Sequence, residues 1–352
     1  MSSTTSQPAA LRFGIGYDVG RKRAGRANQD SVGTYADILP DQDSLAKKGR
    51  LFILADGMGG AAGGQVASQM AVHVTLPTYY QDYDSNVLRS LAGAIQNANM
   101  QIYTRAQNEP TYEGMGTTIV AAVLRDDMLH VANVGDSRAY LLRDGELLQL
   151  SRDHTLVQEQ VRGGLLTQEQ AAAHRLRHVL SRNLGSKAKA EPDFASEKVR
   201  QGDILLLCSD GLWGELSESE ITALLHKYEP SEAAQALVRL ANEHGGSDNI
   251  SLIVLGIDQL LLPTGSSHRK DAFCAYHNRQ ASRDAQPILA HSARRALLAT
   301  TTQATTMQMD RRTLGLLILA LYLSLALIIM ALFAQSVLPN VSSQEAVSWL
   351  VC

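Results

Sequence analysis

Cysteine and aromatic residues are both scarce in this chain. Three cysteines in 352 residues, Cys208, Cys274 and Cys352, cannot build a disulfide framework. That points to a reducing compartment or to a fold independent of such bridges. Zinc is not expected either, because Cys208 is isolated and His154, His174 and His178 have no partner cysteines at ligand spacing. A surplus of one charge is missing as well: 32 Lys and Arg face 35 Asp and Glu, a net charge of −3. The basic excess of a dedicated nucleic-acid binder is therefore absent. The opening MSSTTSQPAA has no apolar run, so no secretory signal is expected there. What the chain does have is 45% hydrophobic residues, enough for a sizeable core and incompatible with full disorder.

That hydrophobicity is unevenly spread. Residues 314–334, LGLLILALYLSLALIIMALFA, form an uncharged run of 21 residues behind Arg311-Arg312. At about 1.5 Å per residue this suffices for a helix across a bilayer core of about 30 Å. Residues 258–312 carry eight Arg and Lys against four Asp, whereas residues 335–352 hold one acid, Glu345, and no Lys or Arg. The positive-inside rule then puts the large N-terminal part in the cytoplasm, facing a short extracytoplasmic tail at 335–352. Residues 1–10 read as a flexible N-terminus, and residues 258–313, rich in Ser, Thr, Ala, Gln and Arg, as a disordered basic linker.

Residues 11–257 read as one α+β domain. Apolar runs at 117–124, 128–134, 137–142 and 146–150 are separated by short polar turns, the last of them Asp144-Gly145, which predicts an antiparallel meander. Leu88, Leu91, Ile95, Ala98 and Ile102 lie on one face of a helix capped at Ser85. Ser217 with Glu220 forms a capping box for a helix over 218–227, and Ser231 starts another that stops at Gly245-Gly246. Strands followed by helices, without strict alternation, suggest layered α+β packing.

The chemical signal is a set of aspartates at strand ends. Asp56 follows LFILA, Asp136 follows HVANVG, Asp210 follows ILLLCS, Asp248 precedes the apolar run from Ile250, and Asp30 closes RANQD. A single Asp beside Gly is usually a turn residue. Five gathered at strand ends repel one another unless cations neutralise them, and hard oxygen ligands suit Mg²⁺ or Mn²⁺. A rival reading is a dinucleotide-binding turn, because LFILA is followed by Gly57-Met58-Gly59-Gly60 and a helix-like segment. Against it, Asp56 would stand beside the pyrophosphate, and no acid ends a second strand about 20 positions on.

These residues fall in six ordered motifs: Asn28-Gln29-Asp30-Ser31, Ala55-Asp56-Gly57-Met58-Gly59-Gly60, Gly116-Thr117-Thr118, Asn133-Val134-Gly135-Asp136-Ser137-Arg138, Ser209-Asp210-Gly211-Leu212-Trp213 and Ser247-Asp248-Asn249-Ile250-Ser251. In them the chain resembles the metal-dependent protein phosphatases of the 2C type (PPM), in their compact bacterial form, over about residues 11–257. The resemblance implies a four-layer αββα sandwich, two antiparallel sheets flanked by helices, with a site for two Mn²⁺ or Mg²⁺ ions and a third, weaker one. It implies that Asp56 bridges the two ions with the Gly57 carbonyl on one of them, that Asp210 and Asp248 hold the other, that Asp30 acts at the site directly or through water, and that Asp136 with Asp210 makes the third position.

The activity implied is hydrolysis of phosphoserine and phosphothreonine on proteins by a water activated between the ions, with no covalent intermediate, so neither Ser209 nor Cys208 is needed as nucleophile. Phosphorylated proteins, membrane-bound Ser/Thr kinases among them, are the partners this implies. A catalytically silent phosphoprotein-binding scaffold of the same fold is the alternative. Three departures stand out. Gly25 occupies the usual position of the phosphate-binding Arg, and of the flanking Arg23 and Arg26 the reading favours Arg26. Ala61 stands where His is frequent, and Gln65 where Glu is. Residues 151–186 correspond to the family's variable flap, with Gly163-Gly164 as a hinge and its histidines read as packing or surface residues.

Overall fold

A computed structural model describes residues 11–60 and 63–258. The expected N-terminal segment, basic linker, membrane span at 314–334 and tail lie outside the described residues. Among the described residues no helix is long and apolar enough to cross a membrane.

The described residues form eleven strands and eight α-helices. The strands are β1 (Arg12–Asp18), β2 (Asp30–Thr34), β3 (Arg50–Met58), β4 (Gly116–Thr117), β5 (Ile119–Arg125), β6 (Met128–Val134), β7 (Arg138–Arg143), β8 (Glu146–Gln149), β9 (Asp193–Lys198), β10 (Ile204–Cys208) and β11 (Ile250–Gly256). The helices are α1 (Gln42–Lys48), α2 (Gly63–Gln81), α3 (Val87–Asn108), α4 (Leu156–Arg162), α5 (Gln168–Ala172), α6 (Asp210–Trp213), α7 (Glu218–Lys227) and α8 (Pro230–His244). One sheet runs β1-β11-β10-β7-β8; the other runs β2-β3-β5-β6-β9, with β4 paired to β3. All the pairings are antiparallel. A dinucleotide-binding βαβ unit needs parallel strands joined by a crossover helix, so that rival is excluded.

Alternation along each strand builds three stacked apolar layers. In β3, Leu51, Ile53 and Ala55 face Ala71, Leu76, Leu91 and Ile95 of α2 and α3. Phe52 and Leu54 point the other way, into the space between the sheets, where they meet Leu141, Leu205, Leu207 and Ile253. On the far side, Leu206, Cys208 and Leu252 pack beneath Leu212, Ile221 and Leu237 of α6, α7 and α8. Burial on both faces is why these strands read as continuous apolar runs rather than as alternating ones.

The expected meander is two hairpins in different sheets. β5 pairs with β6 and β7 with β8, but the chain leaves one sheet for the other between β6 and β7, at Gly135-Asp136-Ser137. Gly135 has a φ of 107°, which lets the backbone turn out of the sheet there. The β7–β8 turn has positive φ at both Asp144 and Gly145, the geometry that makes Asp-Gly a hairpin signal. Helix α3 is capped by Asn86 rather than Ser85, its side chain accepting the Arg89 N–H. Helix α8 begins at Pro230, one residue before the expected Ser231, because proline suits the first helical position.

Helix α7 has the expected boundaries, and Ser217 and Glu220 form the capping box at its start. Ser217 is exposed, so Ser217→Ala removes little besides the cap. Chemical denaturation should show a loss of about 1 kcal/mol. Leu91→Ala, which opens a void under α3 at a fully buried position, should cost about 2–5 kcal/mol.

Candidate metal centre

The two sheets deliver five aspartates to one end of the sandwich. Asp30 opens β2 and stands opposite Asp56 of β3 in the strand register. Asp136 sits where the chain passes from β6 to β7, Asp210 follows β10 as the first residue of α6, and Asp248 lies two residues before the start of β11. Asp30 and Asp136 are buried, while Asp56, Asp210 and Asp248 are partly open to solvent.

Neutral groups fix the backbone around them. The Asp56 N–H donates to Thr118 Oγ1 at 2.9 Å, and its carbonyl accepts from Thr117 Oγ1 and from the Thr118 N–H, each at 2.8 Å. Ser137 braces Thr118 through a hydroxyl pair at 2.7 Å. The Asp30 N–H donates to Asn28 Oδ1 at 2.9 Å, and the Ser209 hydroxyl donates to Asp30 Oδ2 at 2.9 Å. Asn249 accepts the Gln29 N–H at 2.8 Å and donates to the Val19 carbonyl at 3.0 Å, tying the Asp248 loop to the Asp30 loop. It thus shapes the turn that carries Asp248.

The glycines after Asp56 and Asp210 allow close backbone approach. A Cβ on Gly57 would lie 2.0 Å from the Gly64 carbonyl oxygen and 2.5 Å from that of Gln29. One on Gly211 would lie 2.0 Å from the Asn249 carbonyl oxygen. Any side chain at either position would push apart the loops that carry the aspartates.

The resulting field is strongly negative. Burial, followed by the charges of Asp30, Asp210, Asp136 and Asp248, pushes the Asp56 carboxyl well above its ordinary range. Burial raises Asp30 to about 7 even though Ser251 and Ser209 favour its ionised form. Asp136 is raised by burial and then by Asp210 and Asp153, and Asp210 by burial and then by Asp248. Asp30 Oδ1 is buried without a hydrogen-bond partner. An all-oxygen set with an unsatisfied carboxylate atom fits hard divalent cations. Among the described residues no group of three or more His, Cys, Asp or Glu side chains, as they stand, is arranged to hold a metal ion.

Of the two candidate arginines, Arg23 is the one at this end. Its guanidinium pairs with Asp248 and donates to Gln29 Oε1 at 3.0 Å. Arg26, favoured from the sequence, is exposed and makes no ion pair among the described residues. The reason is local. Residues 21–23 form a single 3-10 turn closed by the Ala24 N–H donating to the Arg21 carbonyl, and a second turn, closed by the Arg26 N–H on the Arg23 carbonyl, follows it.

The flap histidines separate into distinct environments. His154 is fully buried; its Nδ1 accepts the Gly135 N–H at 3.2 Å and its Nε2 lies 3.2 Å from Asp193. That is a packing role, as expected. His178 is half exposed, yet its Nδ1 comes within 3.7 Å of Asp210 Oδ2. Nothing local predicts this contact, because where a long loop touches a distant site is set by the fold. Cys208 is buried in β10 with its thiol pushed up to about 12 by burial, the behaviour of a core residue. Ala61 lies outside the described residues.

An antiparallel αββα sandwich with carboxylates gathered at one end defines a hydrolase-like metal scaffold, and comparison with known proteins makes the class specific. The model of the protein phosphatase 2C family matches residues 15–250, and the chain belongs to that family. It is 39% identical over 217 residues to the serine/threonine protein phosphatase PstP of Mycobacterium tuberculosis, covering 62% of this chain but 42% of PstP. The serine/threonine phosphatase stp of Listeria welshimeri is 40% identical over 240 residues, covering 67% of this chain and 92% of stp. The catalytic domain of PstP, solved in complex with two manganese ions, superposes with a TM-score of 0.60 at 36% identity, over 71% of this chain and 99% of that one.

The raised carboxylates set a pH dependence. Asp30 keeps a proton in the folded, metal-free chain where an exposed Asp has lost it. Its stabilising effect is therefore complete below about pH 4 and lost as pH rises through about 7. His130, lowered to about 4 by burial, acts in the opposite direction between about pH 4 and 6.5. The comparison with Asp30→Asn is accordingly the readout. In chelator, the melting temperature of the unmodified chain should fall relative to Asp30→Asn between pH 5 and 8. A difference that stays constant or rises over that window contradicts the assignment.

Proposed function

We propose that this chain is a metal-dependent protein serine/threonine phosphatase acting on phosphoserine and phosphothreonine, tethered at the cytoplasmic face of a membrane. The observation that carries the chemistry is the convergence of Asp30, Asp56, Asp136, Asp210 and Asp248 on one end of the sandwich, where burial and neighbouring charges raise the proton affinity of Asp30, Asp56, Asp136 and Asp210. Mn²⁺ or Mg²⁺ bound there supplies positive charge toward the phosphoryl oxygens and makes water acidic enough to be deprotonated near neutral pH. Asp56, the Gly57 carbonyl, Asp210 and Asp248 are the residues to hold two ions, with Asp136 and Asp210 at a third position and Asp30 at the site directly or through water. The manganese in PstP supports this choice.

Arg23 contributes a permanently charged fork. Its Nε is buried without a partner, a donor that a phosphoryl oxygen would satisfy. Ser209 donates its hydroxyl to Asp30 and Cys208 is a buried core thiol, so neither is presented as a nucleophile. Direct attack by water fits these environments. The scaffold alternative would relax the requirement for carboxylates, and all five are present.

Membrane tethering rests on the uncharged run at 314–334 and the basic residues before it. Confinement to the membrane plane would favour phosphorylated partners there, Ser/Thr kinases with a membrane span among them.

The full chain should hydrolyse p-nitrophenyl phosphate and a phosphothreonine peptide with Mn²⁺ and stop in chelator. Asp56→Asn should lower kcat about a hundredfold or more; unchanged turnover would sink the metal mechanism. Arg23→Ala should raise KM for p-nitrophenyl phosphate about tenfold or more, with a far smaller effect from Arg26→Ala. In intact cells, a protease added outside should leave residues 11–257 undigested, and their digestion would reverse the orientation.

A further inference from the structure

The flap presents a basic turn above the aspartates that the reaction itself does not use. After α5 the chain runs through His174-Arg175-Leu176-Arg177-His178-Val179, and residues 173–182 contain no acid. The turn is held stiffly. Arg177 N–H donates to the His174 carbonyl at 3.1 Å, Val179 N–H to the Leu176 carbonyl at 3.0 Å, and Leu176 N–H to His174 Nδ1 at 3.1 Å. Its far end is pinned where Leu156 N–H donates to the Val179 carbonyl at 2.8 Å and Ser181 N–H to the His154 carbonyl at 2.8 Å. Held this way, the turn brings His178 within 3.7 Å of Asp210, so its neighbours border the approach to the carboxylates.

The charges on this turn are unspent. Two other flap arginines are neutralised, Arg162 by Glu159 and Arg182 by Asp193. Arg175 and Arg177 are exposed and make no ion pair among the described residues. Between and beside them Leu176 and Val179 are exposed, at 36% and 41%. Two free guanidinium groups with apolar side chains between them match a peptide that carries carboxylates or a second phosphate next to an apolar residue.

We infer that Arg175 and Arg177 select substrates by the acidic residues flanking the phosphorylated Ser or Thr. This rests on the phosphatase reading and names the substrate class for it. A membrane surface with anionic headgroups is the competing partner for a basic and apolar turn. The peptide is favoured because the turn is anchored beside Asp210, where the phosphorylated residue must enter.

The test uses the full chain with Mn²⁺ and two phosphothreonine peptides that differ only in Glu or Lys at the flanking positions. Expected is a kcat/KM about tenfold higher for the Glu-flanked peptide, shrinking as salt rises. R175A/R177A should bring that ratio close to one, and R175E/R177E should invert it, which a merely structural role would not do. Equal rates on both peptides in the unmodified chain, or a ratio untouched by R175E/R177E, overturns the inference. So does loss of binding to phosphatidylserine vesicles in R175A/R177A with the peptide ratio unchanged, which assigns the turn to the membrane. Absence of turnover on p-nitrophenyl phosphate by the unmodified chain would instead remove the phosphatase reading, and the flank selection with it.

Discussion

Five carboxylates held close together in a partly dry site are a source of strain on which the rest of this structure depends. Burial raises the proton affinity of Asp30, Asp56, Asp136 and Asp210, and neighbouring carboxylates raise it further. The fold keeps them together with neutral braces: Thr117 and Thr118 on the Asp56 backbone, Asn28 and Ser209 on Asp30, and Asn249 across two loops. Gly57 and Gly211 let the carrying loops approach more closely than any side chain would allow. Such expense is understandable if a cation relieves it. Burial without a compensating positive charge costs several kcal/mol per ion in a site of this kind.

The sandwich supplies the rigidity that this requires. Strands buried on both faces cannot slip register without moving their side chains out of two packed layers at once. The aspartates therefore sit at the ends of elements that do not adjust, while the flap is a separate cover fastened at a few points. His154 beneath Gly135, with Asp193 and Arg182 beside it, fastens the flap to the strand end that leads into Asp136. Changes in the flap can thus alter what reaches the carboxylates without rebuilding the centre. A fixed floor under a separately fastened cover would let chemistry and substrate choice be carried by different parts of the chain.

Asp56, Asp136, Asp210 and Asp248 were legible in the sequence because each follows or precedes an apolar run, where charge has no packing explanation, whereas Asp30 closes the polar RANQD and was legible through its motif. The capping box at Ser217 was legible for a similarly local reason. Three features were not. Hairpin signals specify which strands turn back on each other but not which sheet receives them, so the passage at Gly135 from one sheet to the other was hidden in an apparent meander. Counting back from Asp30 favoured Arg26, whereas the turn at residues 21–23 brings Arg23 to Asp248 instead. His178 beside Asp210 is a long-range contact with no counterpart in local pattern. The apolar run at 314–334, plain in the sequence, lies outside the described residues.

The most direct test of the central claim is a calorimetric titration of Mn²⁺ into the metal-free chain at about pH 6, repeated in buffers of different ionisation enthalpy. Carboxylates raised by burial and mutual repulsion hold protons at that pH, and a cation must displace them. The account predicts at least two bound ions and a net release of protons on binding. Absence of binding, or binding without proton release, would contradict it.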